Sequence, residues 1–384
     1  MELTENQIEA LQAIEKHGSV SKAAKELGRD ARSFRRLVKR ARQAQARQGY
    51  APEHDMVKTC PDGYFVKGVS TLYTNGEDGT QISAQWVKTQ ADQQRQVEIV
   101  RDMVDAWCEE VKGKIKPTKP PKTSDDQLLT IYPLGDPHFG MYAWGEETGK
   151  DFDLDIAENQ LMRAIDYLVD QSPPSQVGVL CNLGDMFHSD NMDGVTARSG
   201  HSLDMDGRLQ KVIEVGVRAL RRCIHRMLEK HYEVQVVNAP GNHDHVLALA
   251  LNVMMANIYE NEPRVKVHSA PTMRHYIQHG RVLIGIVHGH QTKDNDLNSI
   301  MATEKPAEWG QTDYRYFYRG HHHQDKVTEL RGCKVEQFRT LAPKDAYAAG
   351  GGYLSGQDMK AIVHHAKHGE IARSTFAISM MGDA

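Results

Sequence analysis

The sequence predicts an α/β fold preceded by a small helical module, and three observations carry that expectation. Four short apolar runs rich in β-branched residues, Ile131 to Leu134, Val177 to Leu183, Val234 to Val237 and Val282 to Val287, read as buried strands. Long amphipathic stretches lie between them, for example Ile156 to Val169 and Leu209 to Leu228, which is the alternation of a sheet with helices on its faces. Each run ends beside oxygen or imidazole donors, and open α/β sheets build their sites at the carboxyl ends of strands.

Taken in chain order, Thr4 through Gln7 spells a capping box that opens a helix with Ile8, Leu11 and Ile14 on one face. Gly18 ends it. Ser21 is placed to cap a short second helix carrying Ala23, Ala24 and Leu27, small residues that permit close helix crossing. After Gly28 a third helix turns Phe34, Leu37, Val38 and Ala41 inward. This arrangement over residues 1–48 resembles a helix-turn-helix DNA-binding module. The outward face of the third helix carries Arg29, Arg32, Arg35, Arg36, Lys39 and Arg40, with Arg42 and Arg47 beyond, and only Asp30 opposes them. Residues 1–50 hold 11 Lys and Arg against 6 Asp and Glu, +5, so the chain total of −4 leaves −9 on the remainder. Clustered arginine of this kind suits a phosphate backbone, through contacts that weaken steeply with salt. DNA is the expected partner.

Residues 49–111 read as a connector. Tyr64 to Tyr73 and Gln81 to Val87 flank Asn75 to Gly79, a hairpin with a turn of several residues. From Gln90 a helix is expected, with Val97, Val100, Val104, Trp107 and Val111 spaced as a stripe that would serve a homodimer as a short coiled-coil seam or dock on its own domain. The Lys- and Pro-rich tract 112–126 reads as a mobile linker, which leaves 127–384 as the main domain.

Five segments in that domain concentrate the chemistry: Asp136-Pro-His138, Gly184-Asp185 followed by His188, Gly241-Asn242-His243-Asp244, His288-Gly-His290 and Gly320-His321-His322-His323. Mixed imidazole and carboxylate ligands suit divalent transition metals, and about seven such donors suffice for two adjacent ions. In order and spelling the segments resemble the calcineurin-like metallophosphoesterases, whose pattern runs DxH, GD, GNH followed by an acid, a single His, then GHxH. The resemblance covers roughly Leu128 to Leu341. It implies a four-layer αββα sandwich, with Val327 to Leu330 and Val335 to Arg339 in the second sheet; beyond its span, Ile371 to Ser379 reads as one last strand. It also implies two divalent ions, with Mn²⁺ preferred and Fe²⁺, Zn²⁺, Ni²⁺ or Co²⁺ accepted by the same donors. Carried over residue by residue, Asp136, His138 and His323 would hold the first ion, Asp185 would bridge, and Asn242, His288 and His321 would complete the second. His288 competes with His290 for one ligand role, and His321, His322 and His323 compete for two. His243 would stabilise the transition state or protonate the leaving oxygen, and Asp244 would orient His243 through its other ring nitrogen.

The stretch Gly184-Asp185-Met186-Phe187-His188 resembles the GDxFH spelling of the SbcD-like DNA-repair nucleases, in which the extra histidine positions the phosphodiester. That resemblance implies a metal-dependent DNA nuclease with His188 against the substrate, and the long loop Asn191 to Gly207 is placed to close on DNA. A helix-turn-helix joined to such a domain resembles bacteriophage or mobile-element proteins. Two alternatives stand beside this reading: a phosphatase or cyclic-nucleotide phosphodiesterase, and a non-catalytic DNA-binding regulator or packaging factor. The 5 cysteines are scattered without a CxxC, against a disulfide framework or zinc cluster. No apolar run approaches the roughly 20 residues of a membrane span, and the expected compartment is the cytoplasm.

Overall fold

The computed structural model describes residues 4–47, 50–51, 56–57, 64–76, 79–91, 115–192, 194–195, 203–345, 349–352 and 355–382. The chain divides into two compact units, Met1–Asp102 and Met103–Ala384.

The first unit opens with three helices, α1 (Glu5–His17), α2 (Val20–Glu26) and α3 (Ala31–Arg47). Their core is Ala10, Ala13, Ala23, Ala24, Phe34 and Val38, so four methyl groups bring the helices close and one aromatic ring fills the gap. At the start of α1 the Thr4 N–H donates to Gln7 Oε1 at 2.9 Å, the reciprocal half of a capping box. Two sequence expectations are corrected. Ile8 is 41 % exposed, and the inward face of α1 is Ala10 and Ala13 with Ile14 packed beside them. The cap of α2 is Ser19, whose Oγ accepts from the Lys22 N–H at 3.3 Å; the helix begins at Val20, so Ser21 already lies in its first turn.

Short strands β1 (Tyr50–Ala51) and β2 (Met56–Val57) pair antiparallel, and β3 (Tyr64–Gly76) and β4 (Gly79–Ala91) form a long hairpin. Gly76 pairs with Gly79, so the turn is tighter than the span Asn75 to Gly79 suggested, and Gln90 belongs to a strand instead of opening a helix. The stripe Val97 to Val111 and its coiled-coil reading lie outside the described residues.

In the second unit the elements run β5 (Asp125–Leu134), α4 (Gly145–Thr148), α5 (Leu154–Gln171), β6 (Ser175–Asn182), α6 (Leu209–Leu228), β7 (Glu233–Asn238), α7 (His245–Ile258), β8 (Val265–Val267), β9 (Arg274–His279) and β10 (Val282–Val287). They continue with α8 (Leu297–Glu304), α9 (Pro306–Gln311), β11 (Tyr314–Arg319), β12 (Lys326–Leu330), β13 (Cys333–Gln337), β14 (Asp358–His365) and β15 (Gly369–Ala377). Six strands form one sheet in the order β15-β14-β5-β6-β7-β8 and five form a second in the order β12-β13-β11-β10-β9. The sheets face each other across Ile131, Val179, Cys181 and Val237 from the first and Ile284, Ile286, Tyr316 and Tyr318 from the second. Helices α5, α6 and α7 pack on the outer face of the first sheet, and α8 covers the second through Leu297 and Met301 against Leu283, Phe317 and Val335. The result is an αββα sandwich, with β5 to β8 parallel in one sheet and β10, β11 and β13 parallel in the other.

The expected mobile linker is also corrected over its described part. The Thr118 N–H and hydroxyl both donate to Glu262 Oε2, at 2.6 and 2.8 Å, and Arg264 donates to Thr118 Oγ1 and to the Lys119 carbonyl at 2.7 and 2.9 Å. A charged pair satisfying backbone and side chain together fastens this tract to its own unit.

Candidate metal centre

The five donor segments meet at one end of the sandwich because each follows a parallel strand. Asp136 and His138 follow β5, Asp185 follows β6, Asn242 follows β7, His288 follows β10, and His321 and His323 follow β11. Strands of both sheets therefore aim their carboxyl ends at a single cleft of ≈ 590 Å³, lined by His138, Asp185, Asn242, His243, His321 and His323 among others.

Within it the ring nitrogens and carboxylate oxygens fall into triads. Asp136, His138 and His323 form one, Asp185, His288 and His321 a second, and His138, His188 and His243 a third that shares His138 with the first. His138 Nε2 lies 3.2 Å from His323 Nε2, and Asp136 Oδ1 lies 3.5 Å from the same His323 nitrogen. Two imidazoles each about 2.0–2.1 Å from one ion at a tetrahedral or octahedral angle bring their nitrogens to about this separation. His288 Nε2 sits 3.1 Å from Asp185 Oδ2 and 2.9 Å from Asn242 Oδ1. Its other nitrogen lies 2.9 Å from the Leu183 carbonyl, which fixes the ring orientation as carbonyl partners of metal-ligating histidines do. Asp136 accepts the His321 N–H on both oxygens, at 3.0 and 2.9 Å, which ties the first two triads together.

Backbone strain marks the same residues. Among the described non-glycine residues, those with positive φ are Asp136 (45°), His138 (49°), Asp185 (52°), His321 (78°) and His323 (53°), and all five are donors of these triads. A left-handed conformation costs an L-residue about 1–2 kcal/mol, and such residues persist where surrounding structure over-determines them for a functional geometry. The glycines that precede the donors supply the space. A Cβ on Gly241 would overlap Asp185 Oδ1, and one on Gly320 would overlap Asp136 Oδ2.

Electrostatics give the donor set the charge preference of a cation site. Burial acts to lower the pKa of His288, but the carboxylates of Asp185 and Asp136 overcome it and raise the pKa to about 9. Burial likewise acts to lower that of His323, yet Asp136 and Asp185 raise it. A proton on these imidazoles supplies the positive charge that a divalent ion would supply on displacing it. Burial followed by the neighbouring histidines drives His138 well down, and burial followed by the His288 charge drives His321 to about 3, so both rings are neutral donors. The residues fit a pair of divalent ions.

Of the alternatives that the sequence left open, His288, His321 and His323 fall in the first two triads, and one expected contact is not made. His321, His322 and His323 all line the cleft, and His322, the exposed one, joins none of the triads. His288 is in the second triad, and His290 packs against it with ring centroids 5.2 Å apart. Asp244 does not reach the His243 ring. The Nδ1 of His243 lies 2.8 Å from the His188 carbonyl, and Asp244 instead accepts the N–H groups of Gly241 and Phe187 at 3.1 and 3.2 Å, clasping the loops after β7 and β6 together. His188 is only 2 % exposed, and its Nδ1 lies 3.2 Å from His138 Nδ1. It lines the cleft and groups with His138 and His243 as donor nitrogens. Sequence reasoning missed Lys150 and Lys344, which also line the cleft. Each lies in a loop with no metal-type motif to signal it.

In the first unit, Arg32, Arg35, Arg36, Lys39 and Arg40 are exposed along α3. Arg29 is a correction: it precedes the helix and is held by Glu9 Oε2 at 2.5 Å and Asn6 Oδ1 at 3.1 Å. Asp30, the lone acid in the basic stretch, accepts the Ser33 N–H at 2.8 Å and so caps α3. No helix among the described residues is long and apolar enough to cross a membrane.

No protein-family model matches the chain, and no curated protein does. Among solved structures it is similar to an archaeal phosphodiesterase at 14% identity and a TM-score of 0.32, covering 65% of this chain and 99% of that one. It is also similar to vacuolar protein sorting 29 from Cryptosporidium parvum at 11% identity and a TM-score of 0.30, covering 66% and 100%. Zinc-complexed Vps29 from Entamoeba histolytica aligns at 11% identity and a TM-score of 0.25, covering 65% and 98%. Superpositions this loose transfer no residue roles, and the chemistry of the site rests on its own geometry.

Proposed function

We propose that this chain is a metal-dependent phosphodiesterase acting on DNA, a nuclease whose basic N-terminal helices hold the substrate. The observation that carries the phosphoesterase reading is the convergence of two donor triads, Asp136/His138/His323 and Asp185/His288/His321, at the carboxyl ends of parallel strands from both sheets. Two divalent ions held there would supply neutralisation of phosphoryl charge and the acidification of water that hydrolysis needs near neutral pH. Mn²⁺ is the ion we propose, with Asp185 as the shared ligand.

The chain's own residues supply the rest. His243 lines the cleft beside the triads, its Nδ1 proton anchored on the His188 carbonyl and its peptide N–H on Asp185 Oδ1 at 2.8 Å. With Nδ1–H held there, the second proton of the imidazolium form, on Nε2, would pass to the departing oxygen and leave the ring neutral, the general-acid role, which contributes typically about 10²–10⁴-fold. His188 holds the His138 ring, and Asp244 holds the loop that carries Asn242 and His243. The extension to DNA is supported by the exposed arginines of α3, whose spacing suits a phosphate backbone.

The test is incubation of the purified protein with Mn²⁺ and end-labelled linear DNA, single- and double-stranded, beside His243→Ala and an EDTA control. Products that vanish in EDTA and fall about 100-fold or more in the variant are expected. DNA left intact by folded, metal-loaded protein that still hydrolyses bis-p-nitrophenyl phosphate would overturn the DNA substrate and keep the phosphodiesterase.

A further inference from the structure

Directly after the donor His138 the chain runs as an extended segment from Met141 to Trp144. Met141 pairs with Met205 and Ala143 with Phe152 across short β-bridges, and the Tyr142 N–H donates to the Asp204 carbonyl at 2.9 Å. The alternation is sharp: Met141 is 2 % exposed and Ala143 3 %, while Tyr142 is 45 % and Trp144 57 % exposed. Alternate side chains of an extended strand share a face, so the two aromatic rings stand side by side on a fixed backbone and face out. Burying such rings is normally favourable, and a Tyr and a Trp held open on a rigid segment form a surface awaiting a flat partner.

Their setting says which partner. The two rings border a hollow with Glu147, Thr148 and Asp204, and Thr148 also lines the metal cleft together with Met141 and Lys150. The hollow and the metal cleft therefore adjoin across Thr148, with Lys150 on the cleft side. Residues two apart on a strand stand about 6.6 Å apart, close to twice the roughly 3.4 Å rise of stacked nucleotides, so one base fits between them. The carboxylates of Glu147 and Asp204 disfavour a phosphate in the hollow but accept hydrogen bonds from exocyclic amino groups of bases. Lys150, whose ammonium reaches Gln357 Oε1 at 2.6 Å across the cleft, lies where the sugar-phosphate chain would pass.

We infer that Tyr142 and Trp144 form a base-stacking platform that receives an unpaired nucleotide of a single-stranded DNA end, with Lys150 on the adjoining phosphate. This rests on the nuclease reading and narrows its substrate to single strands or frayed ends, since a base within a duplex presents no free face to the platform.

The experiment uses the full chain and a short single-stranded oligodeoxynucleotide with a terminal 2-aminopurine, whose fluorescence falls when the base stacks. Titrations are run in EDTA and 0.5 M salt, which suppresses phosphate contacts by the basic helices. Hydrolysis of bis-p-nitrophenyl phosphate with Mn²⁺, a diester without a base, is measured in parallel. Trp144→Ala is expected to weaken quenching affinity by about 5- to 150-fold, the range that loss of one stack implies. Tyr142→Ala should act in the same direction, Trp144→Phe should retain most of the affinity, and all three should hydrolyse the small diester at the wild-type rate. Equal affinity in wild type and Trp144→Ala overturns the platform. A fall in small-diester hydrolysis that parallels the loss of affinity also overturns it, since the segment would then merely support His138. Wild-type protein that hydrolyses no diester removes the nuclease reading, while quenching lost in Trp144→Ala would still uphold the platform.

Discussion

At the scale of single residues, the donors are held in backbone conformations that glycine would adopt more readily. His323 shows the consequence most cleanly, because its φ of 53° is strained and its side chain remains 35 % exposed, so little packing is at stake. Replacing it with glycine relieves about 1–2 kcal/mol of left-handed strain and removes a donor. His323→Gly is therefore expected to melt within a few degrees of wild type in EDTA, the relieved strain offsetting the lost pairing with Asp136, while the rise in melting temperature on adding Mn²⁺ shrinks or vanishes. Thermal melts with and without metal check this, and a variant that melts several degrees lower in EDTA would show that the strain is not stored there. That these side chains would converge was readable from the sequence, because the ordered segments follow apolar runs and resemble a known metal-binding pattern. Their hydrogen bonds were not. Asp244 stands next to His243 in the chain, but adjacent residues point apart, and its carboxylate meets the Gly241 and Phe187 amides instead.

At the scale of elements, α3 concentrates the charge. Arg32, Arg35, Arg36 and Arg40 are exposed along it, and the cap of the helix is Asp30, whose pKa is lowered by the Ser33 amide it accepts. If these arginines meet phosphates, removing each one lowers the salt dependence of binding by about 0.9 in the slope of log K against log salt. Changing all four to alanine is expected to lower that slope by about two to four and to weaken binding to any DNA sequence alike, as read by fluorescence anisotropy across salt concentrations. An unchanged slope would place the DNA-binding surface elsewhere. The helix itself was legible because Phe34, Leu37, Val38 and Ala41 repeat at helical spacing against a basic face. Strand β14 was not: Asp358, Lys360 and His364 interrupt its apolar alternation. All three are nonetheless buried, because Arg339 meets Asp358 at 2.7 Å, Lys360 meets Asp325 at 2.7 Å and the Tyr318 hydroxyl lies 2.9 Å from His364 Nε2. Partners distant in sequence compensate its polar groups, and local pattern carries no trace of them. The early start of β5 at Asp125 and the tie of Thr118 to Glu262 were hidden for the same reason.

At the scale of the whole molecule, the sandwich buries histidines that take no part in the cleft, and they set its acid limit. His231, His275 and His364 are at most 4 % exposed. Burial lowers their pKa values to about 4, about 4 and about 3. One ring nitrogen of each is buried with no hydrogen-bond partner among the described residues, so a second ring proton would meet no acceptor. His231 bonds to the Tyr132 hydroxyl at 2.8 Å on the first sheet, and His364 joins the two sheets through Tyr318 of β11. In the unfolded chain each would titrate near 6.5. Between about pH 4 and 6.5 the unfolded state therefore binds more protons than the folded one, and stability rises with pH across that window. It is complete above about pH 6.5 and falls as acid is added, at up to about 1.4 kcal/mol per pH unit for each histidine. Melting temperatures in EDTA are expected to drop steeply between pH 6.5 and 5. His231→Gln keeps a polar partner for Tyr132 but cannot titrate, so its melting temperature should depend less on pH over that interval than the wild type does. An identical dependence in the variant would mean that His231 is already charged in the folded protein, against the burial that surrounds it.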